Sequence, residues 1–246
     1  MKELALSQSL WQFPIIAVVS YLIGCFNFAR LISGLKKRDI TKIGSGNPGT
    51  MNMTREFGVK IGLLTFFCDA FKGGVPAVVG FFLYKDFVFA GTQTLVSDFV
   101  RYLCGTFVII GHIFPVTTHF KGGKGIASTL GLFWLCLACE NPWFLLVGFA
   151  LLVFVALYIV FTEWGSMGSL IGVSGFTLWQ GILFFLRYQQ TLLSGTVVSL
   201  FIMLLAINLL TWIAHRKNIV RLLAGEEHRT SVKKMIKKRK KSDKTV

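Results

Sequence analysis

Seven long apolar runs, 10–32, 61–84, 99–119, 124–140, 143–161, 168–186 and 192–214, follow one another along the 246-residue chain. About 20 consecutive, mostly apolar residues suffice for a helix to cross a membrane. In hydrocarbon each backbone N–H and C=O must be bonded internally, which makes the α-helix the natural state of such runs. The expected fold class is all-α: a polytopic membrane protein of about seven transmembrane helices. Runs four and five are divided only by Asn141-Pro142, so a bent or re-entrant hairpin there would reduce the count to five or six. Charged residues make up only 15% of the chain, against about 25% in a soluble domain. The 25 glycines and 24 phenylalanines suit helices packed closely in lipid.

Cytoplasmic loops collect Lys and Arg, and 20 of the 26 basic residues lie in three segments: 33–60, 120–125 and the tail from 215. Loops of opposite parity hold only Lys85 and Arg187, with Lys2 before the first run. Seven crossings with an external N-terminus and a cytoplasmic C-terminus satisfy this bias throughout, placing the protein in the inner (cytoplasmic) cell membrane. The run from Leu10 to Ile32 is long enough to span and Lys2 is a minimal basic region, so no cleaved signal is expected. Residues 1–227 form one membrane-embedded domain and 228–246 a basic cytoplasmic tail. The net charge of +15 is not interleaved with aromatics on a soluble fold, so no nucleic-acid partner is expected. Membrane lipids and phosphate-bearing substrates remain. Cys25, Cys68, Cys104, Cys136 and Cys139 sit inside apolar runs as small hydrophobes, and no metal site is expected.

Polar motifs cluster on the basic side. In Gly44-Ser45-Gly46-Asn47-Pro48-Gly49, Asn47 suits an N-cap and Pro48 a first helical residue, so the loop is expected to open a helix whose N–H groups attract an anion. Ser45 and Arg55 add a hydroxyl and a forked guanidinium for phosphate; a flexible turn beside a solvated Arg is the bland alternative. His112 is followed by Lys121-Gly122-Gly123-Lys124-Gly125 and a helix start, the composition of a phosphate cradle. The spacing is not that of a Walker A loop and no strand precedes it, so nucleotide hydrolysis is not supported. The two lysines read otherwise as membrane-surface anchors, and His112 as a packing residue. In His215-Arg216-Lys217-Asn218, His215 and Asn218 share a helical face, with Gly225 placed to end the helix; the alternative is an interfacial histidine among basic anchors. Asp69 and Lys72 lie three apart inside the second run, where charges are functional or paired with each other. Ser166 is a packing hydroxyl or a ligand.

Four ordered blocks carry a resemblance: GSGNPG…N..R from Gly44 through Asn52 to Arg55, D..KG from Asp69 to Gly73, GH.FPV…FKGGKG from Gly111 to Gly125, and HR.NI.RLL.G.E from His215 to Glu227. In these the chain closely resembles the bacterial acyl-phosphate:glycerol-3-phosphate acyltransferase family, PlsY. The resemblance implies transfer of a fatty acyl group from acyl phosphate to the 1-hydroxyl of glycerol 3-phosphate. The products would be lysophosphatidic acid and phosphate, at the first step of phospholipid synthesis, without acyl carrier protein, coenzyme A or any cofactor. An enzyme that makes acyl phosphate is an implied partner. Ser45, Arg55, His215 and Asn218 would form the catalytic centre. Gly44, Gly46, Asn47, Asn52, Lys72, His112, Lys121, Gly122, Gly123, Lys124, Gly125 and Ser166 would bind substrate, and Glu227 would be structural. The chain departs from the family at Cys25-Phe26-Asn27, where a Ser-Ile-Pro-like kink is common, at Thr50-Met51 for Ala-Thr, and at Glu163 for a usual Arg.

The residues support that chemistry without the name. An acyl phosphate is an activated mixed anhydride, so the protein must chiefly align the hydroxyl and stabilise oxyanion and leaving-phosphate charge. No His-x4-Asp pair of other glycerolipid acyltransferases occurs: Thr117, Lys124, Val220 and Lys233 stand at the Asp position after the four histidines. His215 either accepts the hydroxyl proton or positions the hydroxyl while a substrate phosphate takes the proton, the second being preferred. A transporter of phosphorylated metabolites is the alternative, with Asp69 and Lys72 marking a path. It lacks a visible internal repeat.

Overall fold

In a computed structural model, residues 1–5, 10–227, 229 and 231 are described. The element order is β1 (Lys2–Leu4), α1 (Gln12–Cys25), α2 (Phe28–Leu35), α3 (Thr50–Phe57), α4 (Val59–Tyr84), β2 (Phe87–Phe89), α5 (Val96–Ile113), a 3-10 turn (Val116–Thr118), α6 (Ile126–Glu140), α7 (Phe144–Thr162), α8 (Gly165–Tyr188), α9 (Gly195–Ala214) and α10 (Arg216–Leu223). All seven apolar runs are helical. Among the described residues, six spans are long and apolar enough to cross a membrane, the first being α1 and α2 together. The remaining apolar run forms α6, of 15 residues, about 22 Å at 1.5 Å per residue, short of the roughly 30 Å hydrocarbon layer. Asn141-Pro142 separates two full helices rather than bending one, as the Asn141 side chain accepts from the Trp143 N–H at 3.0 Å. The basic tail falls almost wholly outside the described residues.

The outer surface is apolar. On α7 only Gly148 is buried, while Phe154 and Phe161 are 63% and 78% exposed. A face of this size suits lipid rather than water, and the chain is an integral multi-pass membrane protein. Beneath it, α6 is the central helix, with Leu132, Phe133, Cys136 and Leu137 fully buried. Small residues bring it against α4: a Cβ on Gly131 would collide with the backbone of Ala70, and one on Gly73 with that of Ser128. Phe133 stacks on Phe176 of α8 at 6.4 Å.

Two polar ends close the bundle. At one, Lys2–Leu4 pairs in parallel with Phe87–Phe89, above an ionic cluster that joins three helices. Arg101 of α5, fully buried, donates to Asp98 at 2.6 Å, to the Cys136 carbonyl at 3.0 Å and to Glu140. Arg187 of α8 donates to Asp98 at 2.8 Å and to Glu140, and the Tyr188 hydroxyl donates to Asp98 at 2.6 Å. This cluster fixes the last residue of the short α6 between α5 and α8. The sequence pattern passes over Arg101 because a lone Arg in an apolar run carries no sign of its partners, 39 and 3 residues away.

Candidate active site

Among the described residues, the opposite end carries the Gly44–Gly49, Lys121–Gly125 and His215–Glu227 motifs. The first loop wraps around Asn52. Gly44 and Gly46 adopt φ of 58° and 69°, and the buried Asn52 accepts from the Ser45 N–H at 3.0 Å while donating to the carbonyls of Ile40 and Ile43. Asn52 therefore clamps the loop with all its polar atoms. The helix expected at Pro48 begins two residues later, with Gly49 as its cap and Thr50 its first residue, since Asn47 and Pro48 stay in the turn closed by the Gly49 N–H on the Asn47 carbonyl. Ser45 is left exposed on the turn. Arg55, in the last turn of α3, is half-buried; burial draws its pKa down, while Glu227 and Glu56 oppose the shift.

The kink expected from a Ser-Ile-Pro-like sequence forms here without proline. α1 stops at Cys25, and Asn27 caps α2 by accepting from the Arg30 N–H at 2.9 Å. The same Asn27 donates to the Pro48 carbonyl at 3.3 Å, and Arg30 donates to the Lys121 carbonyl at 3.2 Å. One short helix thus ties both anion loops together. Lys121 itself is exposed.

In the second loop the Gly122 and Gly123 N–H groups donate back to the carbonyls of Ile113 and His112 at 3.1 and 3.0 Å. Gly125 at φ 79° caps α6. A Cβ on Gly123 would strike the His112 ring. Behind the loop, His112 Nδ1 lies 2.9 Å from the Lys72 ammonium, which also reaches Asp69 at 3.0 Å. Lys72 and His112 are buried beneath the loop rather than facing its opening.

Lys124 points the other way, donating to Asn218 Oδ1 at 2.5 Å. Asn218 Nδ2 donates to Ser166 at 3.1 Å and to Glu227 at 2.7 Å; Ser166 also donates to Glu227, and Arg221 holds the second Glu227 oxygen at 2.9 Å. His215 occupies the junction between α9 and α10, and Gly225 ends α10 at φ 72°, as its spacing predicted. His215 Nδ1 lies 2.8 Å from the Thr211 carbonyl, so that nitrogen donates and Nε2 is left with a lone pair. Glu163 contributes through its backbone as the left-handed cap of α7.

Electrostatics follow from this crowding. Burial lowers the Lys124 pKa, Glu227 opposes, Arg221 and Arg55 reinforce, and the ammonium ends at about 8. Burial and then the Lys124 charge hold His215 down at about 4, so it is neutral near pH 7. Burial pushes the Glu227 carboxyl up, but hydrogen bonds from Ser166, Asn218 and Arg221 outweigh it and leave it below the ordinary value. Glu227 and Arg221 are the residues whose place at this site the sequence hid. Their block was legible, but a fixed carboxylate reading Asn218 and Ser166 depends on a turn after Gly225.

Ser166, His215, Asn218 and Lys124, from three distant parts of the chain, therefore meet at one polar end, with Arg55 close enough to shift the charge of Lys124. The family profile described as glycerol-3-phosphate acyltransferase matches residues 14–225. The chain belongs to the glycerol-3-phosphate acyltransferase family. This acyltransferase is 32% identical over 226 residues to a glycerol-3-phosphate acyltransferase of Pseudothermotoga lettingae, covering 92% of this chain and 98% of that one. With the Aquifex aeolicus enzyme of the same name it shares 34% over 227 residues, covering 87% and 97%. Its fold matches the crystal structure of PlsY (YgiH), an integral membrane glycerol 3-phosphate acyltransferase, in its glycerol 3-phosphate form with a TM-score of 0.71 and 28% identity, over 92% of this chain and 98% of that one. The lysophosphatidic acid form of that protein matches with a TM-score of 0.69.

Proposed function

We propose that this acyltransferase moves a fatty acyl group from acyl phosphate to the 1-hydroxyl of glycerol 3-phosphate, releasing lysophosphatidic acid and inorganic phosphate. The observation that carries this reading is the contact of Lys124 with Asn218 beside a buried, neutral His215, which joins an anion loop to a hydrogen-bond acceptor at a membrane surface. The side chains of Lys124, Arg55 and Ser45 bind the phosphates, while the N–H groups of Ser45, Gly122 and Gly123 hold the two loops in shape, and the apolar flank of the bundle receives the acyl chain. The hydroxyl oxygen forms a bond to the acyl carbon as the bond from that carbon to the phosphate oxygen breaks. The hydroxyl proton passes to a phosphate oxygen, while His215 Nε2 accepts a hydrogen bond from the neighbouring 2-hydroxyl and so orients the glycerol. With its pKa near 4, His215 suits this acceptor role better than that of a base at neutral pH. Asn218 and Ser166, oriented by Glu227, complete the polar wall.

The same reading places seven crossings in the inner membrane, with the N-terminus outside and this end of the bundle facing the cytoplasm. There an acyl-phosphate-producing enzyme can deliver its product. A transport reading drew on Asp69 and Lys72, and these engage each other and His112. Purified protein given acyl phosphate and labelled glycerol 3-phosphate should form labelled lysophosphatidic acid, with acyl-coenzyme A in parallel inactive. Turnover with acyl-coenzyme A alone, or uptake by proteoliposomes without product, would overturn it.

A further inference from the structure

The Asp69, Lys72 and His112 group lies in the bundle interior, where an unpaired charge is costly. The Lys72 ammonium donates to the Phe26 carbonyl at 2.7 Å and lies 2.9 Å from His112 Nδ1, while Asp69 Oδ1 stands beside it at 3.0 Å as an ion-pair partner without an aligned hydrogen bond. The Gly24 carbonyl stands farther off at 3.4 Å. An ammonium has no lone pair, so His112 Nδ1 is the acceptor and the ring is the neutral tautomer with its proton on Nε2. That Nε2 edge lies against Gly123, where a Cβ would collide, and the His112 carbonyl accepts the Gly123 N–H at 3.0 Å. One residue further along stands Lys124.

Lys72 also holds the other loop. The Phe26 carbonyl that it binds is at the break between α1 and α2, and the next residue, Asn27, donates to the Pro48 carbonyl at 3.3 Å. A single buried ammonium therefore connects the Gly44–Gly49 turn, through Asn27, with the Gly122–Gly125 turn, through His112. We infer that Asp69, Lys72 and His112 are positioning residues for acyl transfer: without touching substrate, they set the separation of the two anion loops and so fix Lys124 where a substrate phosphate binds. This rests on the function proposed above and adds to it the device that keeps the two loops in register.

The test is coupling to Lys124. Because removing one partner would strand a buried charge, the pair is neutralised together in Asp69→Asn/Lys72→Met. His112→Asn, which keeps an acceptor for Lys72 but removes the ring edge from Gly123, is a second variant that leaves the ion pair intact. Each should raise the same substrate KM that Lys124→Ala raises, by about 10- to 100-fold, the scale on which outer partners act on the groups they orient, with a smaller change in kcat. Combined with Lys124→Ala, neither should add a further loss, since both act through that lysine. Thermal midpoints in detergent identify variants that fail to fold, and the His112→Asn result then decides alone. A normal KM in folded variants, or a loss that multiplies with that of Lys124→Ala, overturns the inference while leaving wild-type turnover intact. If the wild type itself makes no lysophosphatidic acid, the function proposal fails instead. The same coupling is then read from binding of glycerol 3-phosphate alone, and additive losses there overturn the inference.

Discussion

Lys124, Arg55 and His215 differ in what their charges do. Lys124 stands at about 8, so the free site loses its ammonium as pH rises through that value. If the ammonium binds phosphate, kcat/KM should fall above about pH 8, and Lys124→Arg should abolish that limb because guanidinium does not titrate there, while recovering only part of the rate. A pH profile unchanged in Lys124→Arg would reduce this lysine to a surface anchor. Arg55 is expected to meet charge that grows in the transition state, so Arg55→Ala should lower kcat about 100-fold or more, with a smaller change in KM; the reverse split would mark a ground-state clamp. His215 is neutral well below pH 7. A near-neutral limb then belongs to substrate phosphate, whose second pKa is about 6, and it should survive in His215→Gln. Its disappearance there would make His215 the base.

At the scale of elements, the short α6 depends on both its ends. Its start hangs from the Gly122–Gly125 turn, and its last residue, Glu140, sits among Arg101, Arg187 and Gln180. Truncating one member of a buried ionic cluster strands the others, so Glu140→Ala should destabilise the protein by about 3–5 kcal/mol. Unfolding in detergent would read this, and an unchanged midpoint would show the cluster to be dispensable. In the sequence Glu140 stands only as the last residue of the fourth apolar run, 124–140. Its partners, 39 to 47 residues away, were invisible because adjacency across helices is a product of packing. Gly123 was legible as part of an anion loop, but the reason it cannot carry a side chain, the His112 ring at its back, was not.

For the whole molecule, the basic segments 33–60 and 120–125 lie at the same end as α10, so they share one face of the bundle. Single cysteines at Ser45 and Lys124, in a variant lacking the five native ones, should resist a membrane-impermeant reagent in intact cells and react in inverted vesicles; labelling from outside would invert the proposed orientation. The amino-acid sequence by itself determined the helical membrane fold, the approximate ends of its seven apolar helices and the four motif blocks. Hydrophobic run length, basic bias and glycine placement are local properties written along the chain. Only the tertiary structure decided that Asn52 clamps a loop, that Lys72 is sealed under another, and that Glu227 orients Asn218 and Ser166. A polar side chain becomes a ligand, a clamp or a cap according to which acceptors packing brings within about 3 Å, and those acceptors come from segments far away in the sequence.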